Sequence, residues 1–358
     1  MALRFPNPGS NFKRMVNTYG LLYEEFGEDT IYDLDDATEV LVDHYQVSSS
    51  GAVGQQAAER SYQEDRSRDS LYNQLKMYSE LYRMLGWIHP SAEKKLLFRN
   101  TLIGQWVSKE DSEDRVSGLL QECLLGIAFP NPNTENKGVK RLRFFPHLLD
   151  FMEKLDGIAH RDEIIVGLYT ISDDSKSDLI SQKVDQVRNF RGDKSERKAA
   201  LEVVADKNDV QPNTLQNYTR FPLGVIKADY VDWAEPEYIS DVYENSTKFY
   251  VLTENGRNSI RRFREGIDVR SEDFERLSWR GKAYLVCVGY AAILLRAGYK
   301  VFSDDLIKLE DMRDEYSTVE ELLGDTSLRK VYFSPYQQAS HDAIRQGEAL
   351  YNAEIAQA

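Results

Sequence analysis

Cysteine is almost missing from this chain: Cys123 and Cys287 are the only two in 358 residues, so neither a disulfide framework nor a cysteine zinc cluster is available. Histidine is also sparse. His44, His89, His147, His160 and His341 are scattered, with no pair at metal-ligand spacing. Long apolar runs are lacking. The most apolar stretch, residues 284–295, is broken by Gly289 and is too short to span a bilayer, so it reads as a buried helix. The first residues, Met-Ala-Leu-Arg-Phe-Pro-Asn-Pro, lack the apolar core of a signal peptide. Gly104, Gly138 and Gly256 stand alone, so no phosphate loop is present, and no serine or cysteine nucleophile elbow is found. The reading that follows is of a cytoplasmic protein without a membrane partner.

Base is outweighed by acid, 45 Lys and Arg against 59 Asp and Glu, for a net charge of −14. That balance argues against nucleic acid taken globally, but the acid is unevenly spread. Residues 24–43 hold nine acids and no base, and a second acidic stretch begins at Asp304. The middle is locally basic, and local field governs binding more than net charge does. A hydrophobic content of 41% allows sizeable cores, and the length suits about two or three domains.

Residues 249–264 carry the clearest pattern. Phe249 to Leu252 is a β-rich run, Thr253 offers a helix-capping hydroxyl, and Ile260 and Phe263 share one side of the helix that follows. Around it stand Lys248, Arg257, Arg261, Arg262 and Arg264 against Glu254 alone. An earlier stretch repeats the order. An amphipathic helix carries Leu71, Leu75, Tyr78, Leu81 and Leu85 and stops at Gly86. Two short strands follow, around Trp87-Ile88 and Leu96-Leu97-Phe98, and then Thr101 caps a helix bearing Gly104. Strand, Thr-x-x-Gly, helix occurs twice, which suggests two winged-helix units; in the later one the β-rich part also includes Leu223-Gly224-Val225-Ile226.

Between them, residues 144–155 read as a helix with Pro146 in its first turn, Gly157 ends it, and a second helix runs from Asp162 to Thr170. Helix, glycine turn, helix fits a helix-turn-helix, a pattern that plain helical hairpins share. A helix is expected over residues 12–26, a single polar cationic helix over residues 183–198, and a further helix over residues 214–221 that ends before Pro222. Residues 48–51 read as a loop, the polar stretch after them as an exposed helix, and residues 129–133 as a loop.

The order of these segments resembles the DNA-recognition region of AlwI-type restriction endonucleases, type IIS and strand-nicking enzymes. The resemblance spans roughly residues 70–265 and rests most on Phe144-Phe145-Pro146-His147-Leu148-Leu149-Asp150-Phe151-Met152, Gly157, Asp162-Glu163-Ile164 and Leu168, with Asn217-Tyr218-Thr219-Arg220-Phe221-Pro222-Leu223 similar to an aromatic-arginine segment before the last wing. It implies tandem winged-helix or helix-turn-helix subdomains gripping a short asymmetric DNA site. It also implies a separate magnesium-dependent nuclease domain, and the chain departs from the pattern by ending soon after the recognition-like part.

A magnesium nuclease of that kind needs an acidic-x-Lys on a strand beside an upstream aspartate. Glu93-Lys94-Lys95, Asp174-Ser175-Lys176 and Glu196-Arg197-Lys198 are the triplets available, and none lies in an apolar strand. No catalytic or metal residue is therefore assigned, and magnesium enters only with an attached or partner nuclease.

The fold expected is mainly α with small β wings. It comprises an N-terminal helical region with a first winged helix (1–115), a helix-turn-helix subdomain (116–205), a second winged helix (206–270) and an acidic helical end (271–358). The function expected is a double-stranded DNA specificity module of a restriction or defence endonuclease. Backbone contacts are assigned to Lys137, Lys140, Arg141, Arg188, Arg191, Arg197 and Lys198. Wing contacts are assigned to Lys94, Lys95, Arg99, Lys248, Arg257, Arg261 and Arg262. Asn213, Asn217 and Arg220 have the donors and acceptors to read purine edges, though each also suits a capping or surface position. A self-contained nuclease with an unrecognised site and a winged-helix protein adaptor are the alternatives.

Overall fold

The computed structural model describes residues 3–6, 12–28, 30–44, 70–90, 97–129, 139–176, 178–227, 231–233, 249–300, 316–324 and 326–333. Among them the chain is mainly helical, with a few small strands in short sheets. It divides into two compact units, Met1–Ser10 with Ile127–Glu265, and Asn11–Gly126 with Gly266–Ala358.

In the second of these, α1 (Phe12–Phe26) buries Met15, Tyr19, Leu22 and Tyr23 at helical spacing. Helix α2 (Leu34–Asp43) starts with Asp33 and Asp36 in a reciprocal capping box. Helix α3 (Ser70–Leu85) ends at Gly86, which has φ +75. Strands β1 (Ile88–Pro90) and β2 (Phe98–Asn100) pair antiparallel, and Tyr32 bridges to Phe98. Thr101 then caps α4 (Leu102–Lys109), accepting the Gly104 N–H at 3.2 Å. Gly104 has its own reason: a Cβ there would stand 1.9 Å from the Tyr19 hydroxyl, which donates to the Trp87 carbonyl at 2.9 Å.

The same unit contains α5 (Glu113–Gly126), then β6 (Ile267–Asp268), α13 (Ser271–Glu275), α14 (Trp279–Arg296), α15 (Tyr316–Leu323) and β7 (Val331–Tyr332). The apolar stretch expected as a buried helix lies within α14. Arg296 joins α14 to α5 through a buried pair with Glu122 at 2.7 Å and lies 4.1 Å from the Tyr332 ring centroid. Strand β7 runs parallel to β6, a pairing with no local sequence signal.

The other unit is built on α6 (Phe144–Lys154), β3 (Ile158–His160), α7 (Arg161–Gly167), α8 (Leu179–Phe190), α9 (Lys194–Lys207), α10 (Pro212–Tyr218), α11 (Arg220–Val225), β4 (Val231–Trp233), β5 (Phe249–Leu252) and α12 (Glu254–Arg264). Strand β5 lies between β3 and β4, antiparallel to both, with His160 opposite Phe249 and Trp233 opposite Tyr250. Phe5 plugs the core among Phe129, Phe144, Phe145, Tyr169 and Phe221.

Several expectations change here. The single cationic helix over residues 183–198 is two helices, because Gly192 takes φ +96 and Asp193 caps α9 through the Ser195 and Glu196 N–H groups. The second helix after Gly157 is preceded by β3 and ends at Gly167. Pro222 falls inside α11, in its first turn, where a missing N–H costs nothing, and Leu223–Val225 is helical rather than extended. The pairing of β3 with β5 puts parts of the expected 116–205 and 206–270 subdomains in one sheet. The loop at 48–51, the exposed helix after it, residues 130–133 and the acidic stretch 304–315 lie outside the described residues.

Candidate nucleic-acid interface

Helix α10 has seven residues, too few to be stable alone. Pro212 fits its first turn, where no N–H is needed, and fixes φ for helix entry. Its inner side is held by the fully buried Leu215. Gln216 Nε2 donates to Asp162 Oδ1 on α7 at 2.9 Å, and the Tyr169 hydroxyl donates to the Tyr218 carbonyl at 3.2 Å. The outer side is left with Asn213 and Arg220 exposed and Asn217 half-buried.

Helix α7, which carries this seat, is fixed in turn at its start. His160 Nδ1 accepts the Asp162 N–H at 3.0 Å, and Glu163 Oε2 accepts the His160 N–H at 2.8 Å. Burial, then the charges of Arg197 and Arg161, push the His160 ring down to about 3. The ring is therefore neutral at neutral pH, with Nδ1 as the acceptor and the proton on Nε2.

A second group of charges meets at the turn between α6 and β3. Arg188 Nη2 donates to the Lys154 carbonyl at 2.6 Å, and Arg191 Nη1 donates to the Leu155 carbonyl at 2.7 Å. Arg191 also donates to the Ile158 carbonyl and lies 3.6 Å from the buried Glu163 carboxylate. Arg257 lies over Gly157, whose φ is +81. Arg264 pairs with Asp150 and Glu153, and Lys154 with Asp150 at 2.7 Å. Burial pushes the Asp150 carboxyl up, but hydrogen bonds from Arg264 and Lys154 outweigh it and hold the group below its ordinary value.

The residues expected on DNA therefore fall into separate places. Asn213, Asn217 and Arg220 share α10 and its C-terminal continuation. Arg188, Arg191 and Arg257 share the α6–β3 turn, where the first two donate to carbonyls. Arg197 is 4% exposed, with its side chain inside the fold rather than on a surface. Lys198 is exposed on α9, 3.8 Å from Glu202. Lys140 is exposed, whereas Arg141 Nε lies 3.3 Å from Asp174. Arg261 and Arg262 are exposed on α12, bonded to Asn258 and Ser259. Arg99 lies on β2, in the other unit. Lys94, Lys95, Lys137 and Lys248 lie outside the described residues.

Of the three acidic triplets, Glu93 lies outside the described residues and Glu196 stands exposed in the first turn of α9. Asp174 is taken up inside the fold. It accepts the Arg143 N–H at 2.9 Å and meets His147 Nε2 at 3.0 Å, with its side chain 1% exposed. Among the described residues no group of three or more His, Cys, Asp or Glu is arranged to hold a metal ion. Among them, too, no helix is long and apolar enough to cross a membrane. Sequence reasoning missed Asp162 and Gln216 as the seat of α10, which lie far apart in the chain. Glu163 was missed as well: it stands three residues after His160 at capping-box spacing, but histidine is not a residue that signals a cap.

Compared with known protein families and with curated proteins, the chain finds no match.

Proposed function

We propose that the unit formed by Met1–Ser10 and Ile127–Glu265 is a winged-helix reader of double-stranded DNA, with α10 as the helix that enters the major groove. Its element order supports the reading: helix α6, strand β3, helix α7, helix α10 and the β4–β5 pair, with β5 central in the sheet. Helices α8 and α9 are an insertion between the second and third helices of that pattern. The observation that carries the proposal is the mounting of α10. Its inner face is fixed to α7 through Gln216 and Asp162, while Asn213 is exposed, Asn217 is half-buried and Arg220, at the start of α11, is exposed. Asparagine matches the N6/N7 edge of adenine and arginine the O6/N7 edge of guanine, each worth about 1–3 kcal/mol of discrimination when bidentate.

The resemblance of its segment order to AlwI-type recognition regions supports the reading that this unit serves a restriction or defence endonuclease. Cleavage then comes from a separate domain or partner chain that brings its own magnesium. Selection of bound duplexes from a randomised library tests the proposal: a short consensus should emerge, and no enrichment over the input would refute it.

A further inference from the structure

The α6–β3 turn carries a charge that base reading by α10 does not use. Lys154, Arg188, Arg191 and Arg264 each have a carboxylate within 4.0 Å: Asp150 for Lys154, Asp185 for Arg188, Glu163 and Asp156 for Arg191, and Asp150 and Glu153 for Arg264. Arg257 is the exception. Among the described residues its guanidinium has neither an ion pair nor a hydrogen bond, and the residue lies half-buried with that group beside the Gly157 backbone. The bed is Gly157. A Cβ there would stand 2.5 Å from Arg257 Nη2, and φ +81 already restricts the position to glycine. Three guanidinium groups thus share one turn, with Arg188 on Lys154, Arg191 on Leu155 and Arg257 on Gly157.

An anion entering beside Arg257 would give its guanidinium the charged partner that Arg188 and Arg191 already have. The planar fork of donors on arginine matches a phosphate group better than a point charge does. We infer that Arg257, over Gly157, is the centre of a phosphate-binding site, with Arg188 as its second cation. The site goes beyond the DNA reading and does not depend on it. Gly157 precedes β3, whereas α7, the seat of α10, begins at the strand's other end, after His160. The phosphate belongs either to a free mononucleotide or inorganic phosphate, or to a DNA backbone.

Titration of the full chain with inorganic phosphate and a 5′-mononucleotide, followed by calorimetry, tests the site. A random-sequence duplex is titrated in parallel by fluorescence anisotropy. Phosphate or mononucleotide affinity that falls at least tenfold in Arg257→Ala and Arg257→Gln, and is restored in part by Arg257→Lys, supports a free phosphate group as ligand. The same dependence seen only with duplex supports a backbone phosphate. Affinities for all three probes that do not change in the folded Arg257→Gln variant overturn the site. Arg220→Ala keeps the two readings apart: it should leave phosphate and mononucleotide binding unchanged whether or not α10 reads DNA.

Discussion

The Asp174 carboxylate accepts the backbone N–H of Arg143 at 2.9 Å, so α6 is capped by a residue 31 positions further along the chain. Arg143, the N-cap residue itself, makes no side-chain capping bond. At the far end of α6, Arg188 and Arg191 donate to the Lys154 and Leu155 carbonyls. A negative group at the start and positive groups at the end both oppose the helix dipole favourably. Asp174, weighed and set aside in sequence as a nuclease acid, and Arg188 and Arg191, expected on DNA, all bond to the ends of this helix.

Removal of the Asp174 cap leaves the Arg143 N–H without its acceptor. Asp174→Ala should lower the unfolding free energy by about 1–3 kcal/mol in urea, and Asp174→Asn, which keeps an acceptor, by less. Equal stability of Asp174→Ala and the parent chain would show that the cap is idle.

His160 gives a pH dependence with a defined sign. Its ordinary value of 6.5 falls to about 3 in the folded chain through burial, then Arg197 and Arg161. Below pH 6.5 the unfolded chain takes up a proton there and the folded chain does not. The contribution is therefore complete above pH 6.5 and is lost as pH falls toward 3, at up to about 1.4 kcal/mol per unit. Asp150 acts in a separate window, below its ordinary 3.8. His160→Asn keeps a capping acceptor for Asp162 and removes the titration, so acid unfolding should begin at lower pH. An unchanged acid profile would rule the ring out as its source.

Gly104 is tested by size. In Gly104→Ala the new methyl meets both the Tyr19 hydroxyl and, at 2.4 Å, the Trp87 carbonyl, and the loss should be about 1–3 kcal/mol. Tyr19→Phe in the same chain removes the colliding oxygen and should recover part of it, read as the urea midpoint. No recovery would mean that the clash lies elsewhere.

These cases separate what the sequence could disclose from what it could not. Thr101 with Gly104 and Thr253 with Gly256 were legible, because a capping hydroxyl and its target amide lie three residues apart. Helix α3 was legible from its apolar period. The break at Gly192 was not, since α8 and α9 are both polar enough to blur the boundary. Asp174 on Arg143, Gln216 on Asp162 and β5 between β3 and β4 are long-range relations that no local pattern encodes. The surroundings of the cations were not legible either, for a simpler reason. An arginine reads alike in sequence whether it faces a carbonyl, as Arg191 does, or solvent, as Arg220 does.

The central claim is that α10 reads DNA. It is tested most directly by the affinity of the full chain for its selected duplex across a salt series, with Asn213→Ala and Arg220→Ala alongside. The account predicts a linear fall of log affinity with log salt, with a slope of about −0.9 for each phosphate contacted. It also predicts that each substitution weakens the selected duplex by about 1–3 kcal/mol while leaving a scrambled duplex little changed. A flat salt response, or equal losses on both duplexes, would contradict it.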